Sequence, residues 1–80
     1  MTRDHVLSEV ENIMRSVLDN EALVVSDRTT AKDVPEWDSL SHIELVVAIE
    51  RHFSVKFTSK EVQSFRNVGD MCNAIARKKN

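Results

Sequence analysis

Val6, Leu7, Val10, Ile13, Met14, Val17 and Leu18 recur at helical spacing, with Glu9, Asn12 and Arg15 on the opposite side. This pattern predicts an amphipathic helix over about residues 3–19. Residues 20–37 break the period. Leu23, Val24 and Val25 lead into Ser26-Asp27-Arg28-Thr29-Thr30, then Asp33-Val34-Pro35-Glu36-Trp37. So long a connection in a small protein is uncommon and often functional. Leu23, Val24, Val34 and Trp37 are expected to pin it to the core. Asp38 is a good N-cap for a second helix from Ser39 to about residue 52. Thr58 and Glu61 form a capping box that opens a short helix over 59–65, with Val62 and Phe65 inward. Asn67 with Asp70 is expected to act similarly for a last helix over 68–78, carrying Val68, Met71, Cys72 and Ile75. The expected fold is all-α: a four-helix bundle in one domain spanning 1–80, with a short third helix and a long first loop.

The second helix carries more apolar surface than a core stripe needs. On a helical wheel Leu45, Val46, Ile49 and Phe53 make an ordinary core face. Leu40, Ile43 and Val47 extend the apolar arc to about 220°, against a usual stripe of a hundred degrees or so. Glu44 and Glu50 flank this second group, as would suit a partner with an apolar dent and a basic rim. Leu40, in the first turn, is expected to be exposed, and Ile43 to pack on the third helix.

Composition narrows the function classes. Of 80 residues, 41% are hydrophobic and 30% charged, with one Gly and one Pro, which argues against a small all-β fold. A chain this short has little room for a deep preorganised catalytic cavity. The formal net charge of −2 does not suit nucleic acid, whose binders usually show a basic stripe. Arg77-Lys78-Lys79 reads as a helix end whose cations suit the dipole. The single Cys72 permits no internal disulfide, makes no metal-ligand spacing, and is expected to be plain core. No stretch approaches the roughly 20 apolar residues of a membrane span, and the first residues lack a signal-peptide core. The expectation is a cytoplasmic monomer without metal, nucleic acid or membrane insertion.

Ser39, at a helix start after a long loop, is expected to be accessible. A phosphodiester there would lie at the positive end of the helix dipole. Position alone takes the matter no further, because serine is favoured at helix starts for capping.

Asp38-Ser39-Leu40, followed by Ser41-His42-Ile43-Glu44-Leu45-Val46-Val47-Ala48-Ile49-Glu50, closely resembles the acyl carrier protein family. In that family an Asp-Ser-Leu opens the second helix and its serine receives 4′-phosphopantetheine from coenzyme A. The resemblance covers essentially the whole chain. It implies attachment at Ser39, and a partner interface at Asp38, Leu40, Glu44, Val47 and Glu50. It also implies a non-catalytic carrier that holds acyl-type intermediates as thioesters. The implied partners are a phosphopantetheinyl transferase, an acyl-loading ligase or transferase, and a downstream synthase or acyltransferase. An apolar interior sheltering the acyl chain would be lined by Leu45, Val46, Ile49, Val62 and Phe65.

Departures from the fatty-acid-synthesis pattern point to a dedicated pathway. Ser41, His42, Arg51 and His52 stand where such carriers are often acidic, which weakens the patch's charge and makes it pH-sensitive. Trp37 before Asp38 is also unlike the common pattern, and the Gly-Gly-His-Ser approach of peptide-synthetase carriers is absent. Three rivals remain at this stage. One is a D-alanyl or other aminoacyl carrier using the same serine. Another is an unmodified helical adaptor using Leu40 and Val47. The third is a hydrolase built on Asp38, Ser39 and His42, for which no oxyanion hole or substrate pocket is evident.

Overall fold

The computed structural model describes residues 2–79. Four helices follow in order: α1 (Arg3–Val17), α2 (Ser39–Phe53), α3 (Ser59–Ser64) and α4 (Val68–Lys79), with no strand among the described residues. Helix α1 packs on both α2 and α4. Their facing stripes form the core: Val6, Val10 and Met14 from α1, Leu45, Ile49 and Phe53 from α2, Met71, Cys72 and Ile75 from α4.

The ends of α1 and α2 are made by backbone geometry that composition hides. Thr2 caps α1, its hydroxyl accepting from the His5 N–H at 3.1 Å. The helix stops at Val17, two residues earlier than the pattern predicts, because Asp19 turns left-handed at φ 52°. The Asn20 N–H then reaches back to the Arg15 carbonyl at 2.9 Å. Ser54 repeats the device after α2, with φ 56° and a 3.1 Å bond from the Val55 N–H to the Glu50 carbonyl. Both are six-to-one closures that usually call on glycine.

The long first loop is tied at several points. Arg15 donates from Nε to the Leu23 carbonyl at 2.7 Å, and Glu11 accepts from the Val25 N–H at 2.9 Å. Val34 and Trp37 are buried as expected, and Leu23 is half-buried. Val24, expected to pin the loop, instead points outward at 76% exposed, and Val25 is buried at 7%. The 2.9 Å bond from the Val25 N–H to Glu11 holds the chain against α1 at Val25, the valine that turns inward.

The loop also finishes α4. The first N–H groups of a helix lack intrahelical partners. Val68 donates to the Thr29 carbonyl and Gly69 to the Asp27 carbonyl, both at 2.9 Å. Asn67 Oδ1 accepts from the Asp70 N–H at 2.8 Å, as the sequence suggests. The Asp70 carboxylate reaches the Arg66 N–H, not that of Asn67. Arg3 locks the junction, donating to Asp27 at 2.8 Å and to Asn73 at 2.9 Å. Gly69 is needed here for close approach, since a Cβ would lie 2.9 Å from the Asp27 carbonyl oxygen and 3.1 Å from its Cβ. Gly69→Ala gains some helix propensity, up to about 1 kcal/mol. Pushing the loop backbone away costs about 1–3 kcal/mol and dominates. A lowered urea midpoint is expected; an unchanged or raised one would show that the loop yields freely.

Cys72 is fully buried, and desolvation pushes its thiol up to about 11. It is core, as the sequence suggests.

Candidate functional site

The site is built where the first loop meets α2. Buried Trp37 and Val34 anchor the chain just before the helix, and the Trp37 N–H donates to the Val34 carbonyl at 3.0 Å. Asp38 is extended and closes a capping box with Ser41: its carboxylate accepts from the Ser41 N–H at 2.9 Å, while Ser41 Oγ accepts from the Asp38 N–H at 2.8 Å. Ser41 Oγ also donates to the Glu36 carbonyl at 2.8 Å. The Ser41 N–H favours the carboxylate form, holding Asp38 below its ordinary value. The cap is thus made by Asp38 and Ser41. Ser39, the first residue of the helix, is left exposed.

Beside Ser39 lies an open cleft of about 520 Å³ between the loop, the start of α2 and α3. Trp37, His42, Ile43, Val62 and Phe65 form its apolar wall, with Gln63 and Arg66 at the α3 side. Of the residues proposed to line an acyl interior, only Val62 and Phe65 reach this cleft. Leu45, Val46 and Ile49 are 0%, 5% and 1% exposed and belong to the packed core. The signal that separates the two groups is helical phase: His42 and Ile43 lie on the side of α2 that faces α3.

His42 is not part of an outward patch. The Trp37 indole N–H donates to its Nδ1 at 3.1 Å, and its Nε2 lies 3.2 Å from the Val62 carbonyl. An indole N–H can only donate, so Nδ1 is the bare nitrogen and Nε2 carries the proton to Val62. His42, which the sequence pattern sets in the partner-facing patch, is therefore turned to the cleft instead. Both ring nitrogens are engaged, so none is free to take a proton from Ser39, and the hydrolase arrangement is not assembled. Among the described residues no group of His, Cys, Asp and Glu is placed to hold a metal.

The outer arc of α2 is bare. Leu40 is 73% exposed, Ile43 54% and Val47 41%. Ile43 was expected to pack on the third helix. It reaches only the rim of the cleft, because α3 is six residues long and too short to cover it. Glu44 is exposed beside this strip. Glu50 is half-buried and turned to the α2–α3 loop, where its carboxylate accepts from the Phe57 N–H at 2.8 Å. Two leucines on one helix should then behave oppositely. Leu45→Ala is expected to cost about 2–5 kcal/mol. Leu40→Ala should stay within about 0.5 kcal/mol. Urea melts followed by circular dichroism compare them, and equal losses would contradict the assignment of faces.

Ser39 thus stands bare at a capped helix start, beside an apolar cleft and strip. Residues 8–75 match the family model described as "Phosphopantetheine attachment site". The acyl carrier protein of Borreliella burgdorferi is 32% identical over 80 residues, covering 99% of both chains. That of Acidothermus cellulolyticus is 30% identical over 76 residues, covering 95% of this chain and 90% of its own. The holo acyl carrier protein of Geobacter metallireducens superposes with a TM-score of 0.86 at 38% identity, covering 91% of this chain and 84% of that one. The Enterococcus faecalis acyl carrier protein gives 0.74 at 31%, covering 98% and 99%. The chain belongs to the acyl carrier protein family. It is a non-catalytic carrier whose cofactor is covalently bound 4′-phosphopantetheine. The residues fit that group: Ser39 is exposed, at the positive end of α2, with an open apolar cleft alongside.

Proposed function

We propose that Ser39 is the attachment point of the phosphopantetheine, and that the chain uses it to hold acyl-type intermediates as thioesters and hand them to partner enzymes. The observation that carries this reading is the exposed Ser39 at the mouth of the cleft, held there by a cap it does not itself make. When bound, the arm supplies a thiol for thioester formation. The protein's own residues position and present. Asp38 and Ser41 hold the first turn of α2 rigid, and Trp37 anchors the loop behind it.

Leu40, Ile43 and Val47, edged by Glu44, offer an apolar contact to partners with a basic rim. Carriers of this family meet transferases and synthases. For this chain the set comprises a phosphopantetheinyl transferase, an acyl-loading ligase or transferase, and a downstream synthase or acyltransferase. Asp38 belongs to this surface through its place beside Ser39. Glu50 contributes by holding the α2–α3 loop, since its carboxylate is already engaged by Phe57. No helix among the described residues is long and apolar enough to cross a membrane.

Intact-mass measurement after incubation with coenzyme A and a promiscuous phosphopantetheinyl transferase tests the reading. One phosphopantetheine adduct is expected, mapping to the peptide that contains Ser39. No adduct with two different transferases, on protein shown folded by circular dichroism, would overturn it.

A further inference from the structure

The cleft has an inner wall, and that wall is bolted. His42 joins three separate elements: the first loop through Trp37 Nε1, its own helix α2, and α3 through the Val62 carbonyl. Its ring stacks on Trp37 at 6.0 Å and 22°, and meets the edge of Phe65 at 6.4 Å. We propose that this bridge holds α3 against α2 and confines the cargo to the open cleft, so that the carrier favours short or polar acyl groups over long alkyl chains. The inference rests on Ser39 being the attachment point. Within it His42 is a positioning residue, since it acts through the placement of α3.

Three observations support it. Helix α3 has six residues and no fully buried side chain, so few contacts hold it. Beside the His42 bond, the contacts at its two ends include the Glu61–Lys78 ion pair at 3.2 Å and Phe65, which follows the helix, meets Phe57 at 5.2 Å and packs on the core. Removing one of so few ties should matter more than in a helix with a buried stripe. Second, Leu45 and Ile49 are 0% and 1% exposed. Close-packed cores hold few voids, so an alkyl chain enters this one only if α3 moves. Third, both His42 nitrogens are satisfied in one tautomer, so shifting α3 leaves a buried or half-buried polar group unpaired, which is costly. A long alkyl chain therefore stays partly in water, whereas a short or polar group loses little by lying in the cleft.

The first test needs no arm. In the apo protein, α3 amides such as that of Val62 should exchange with deuterium about five- to tenfold faster in His42→Ala, the effect of one lost hydrogen bond. Amides of Val10 and Ile75 should speed up by no more than the loss of global stability read from a urea melt, and Val10→Ala, which lowers global stability alone, should leave the α3 rates unchanged; this separates local loosening from general instability. His42→Gln, with one acceptor and one donor, should restore part of the protection. Unchanged α3 exchange in His42→Ala would overturn the bridge. Should that variant fail to fold, Trp37→Phe removes the indole donor while keeping a ring and is read in the same way.

The second test uses protein loaded with an octanoyl pantetheine arm, the load confirmed by mass. In wild type, amide shifts should concentrate at Ile43, Val62 and Phe65 and spare Leu45 and Ile49. In His42→Ala they should spread to those two. Wild-type shifts at Leu45 and Ile49 as large as those at Ile43 would overturn the confinement. A missing mass increment speaks against attachment at Ser39 instead, and the apo exchange result decides the bridge by itself.

Discussion

Replacing Trp37 with alanine is expected to remove about 3–5 kcal/mol of stability, the range for truncating a buried large aromatic. At 80 residues the total is about 4–12 kcal/mol, so this one change takes a large share. Trp37 is 4% exposed, donates its indole N–H to His42, and stacks on the same ring. It therefore supplies apolar burial and one polar tie where the first loop enters α2. Trp37→Phe separates the two. It keeps most of the buried surface, loses the N–H donor, and should cost about 1 kcal/mol for the hydrogen bond plus a smaller packing loss. Urea melts followed at 222 nm read both variants without the indole as a probe. A loss below about 1 kcal/mol for Trp37→Ala would show that the loop is not anchored there.

Ser39→Ala should have the opposite profile: complete loss of phosphopantetheine attachment with a stability change within about 0.5 kcal/mol. The hydroxyl is the proposed nucleophile toward coenzyme A, and alanine has none. The helix start does not depend on it, because Asp38 and Ser41 make the capping box and Ser39 is exposed. Intact mass beside the wild type reads the first effect and a thermal melt the second. An adduct on Ser39→Ala would relocate the site. A large drop in stability would mean that Ser39 supports the turn.

Much of the fold was legible because helices and their starts are local. The stripe Val6, Val10, Met14 and the face Leu45, Ile49, Phe53 follow from 3.6-residue periodicity, and each is buried as that period requires. The caps at Asp38 and Thr58 follow from side chains that reach their own backbone three residues on. Helix ends were less legible. The left-handed turns at Asp19 and Ser54 use residues that carry no strong stop signal, so α1 stops two residues early and α2 runs one residue longer.

The candidate site divides in the same way. Ser39 at an exposed helix start and Leu40 in the first turn could be placed from the order of residues alone, whereas the exposure of Ile43 and Val47 depends on how much of the arc α3 covers. The cleft could not. Its walls come from the loop, α2 and α3, so its lining depends on how far α3 reaches across α2.

The sequence by itself therefore determined the four helices, the core face of each long one, and the serine that begins α2. Only the tertiary structure decided that Val25 rather than Val24 turns inward, that Ile43 is left half bare, that Glu50 holds the Phe57 backbone, and that His42 bridges Trp37 to Val62. The reason is physical. Periodicity and capping depend on neighbours three or four residues away. The partner of a side chain at a junction of three elements is set by residues up to 20 positions distant, and becomes defined only when those elements have packed.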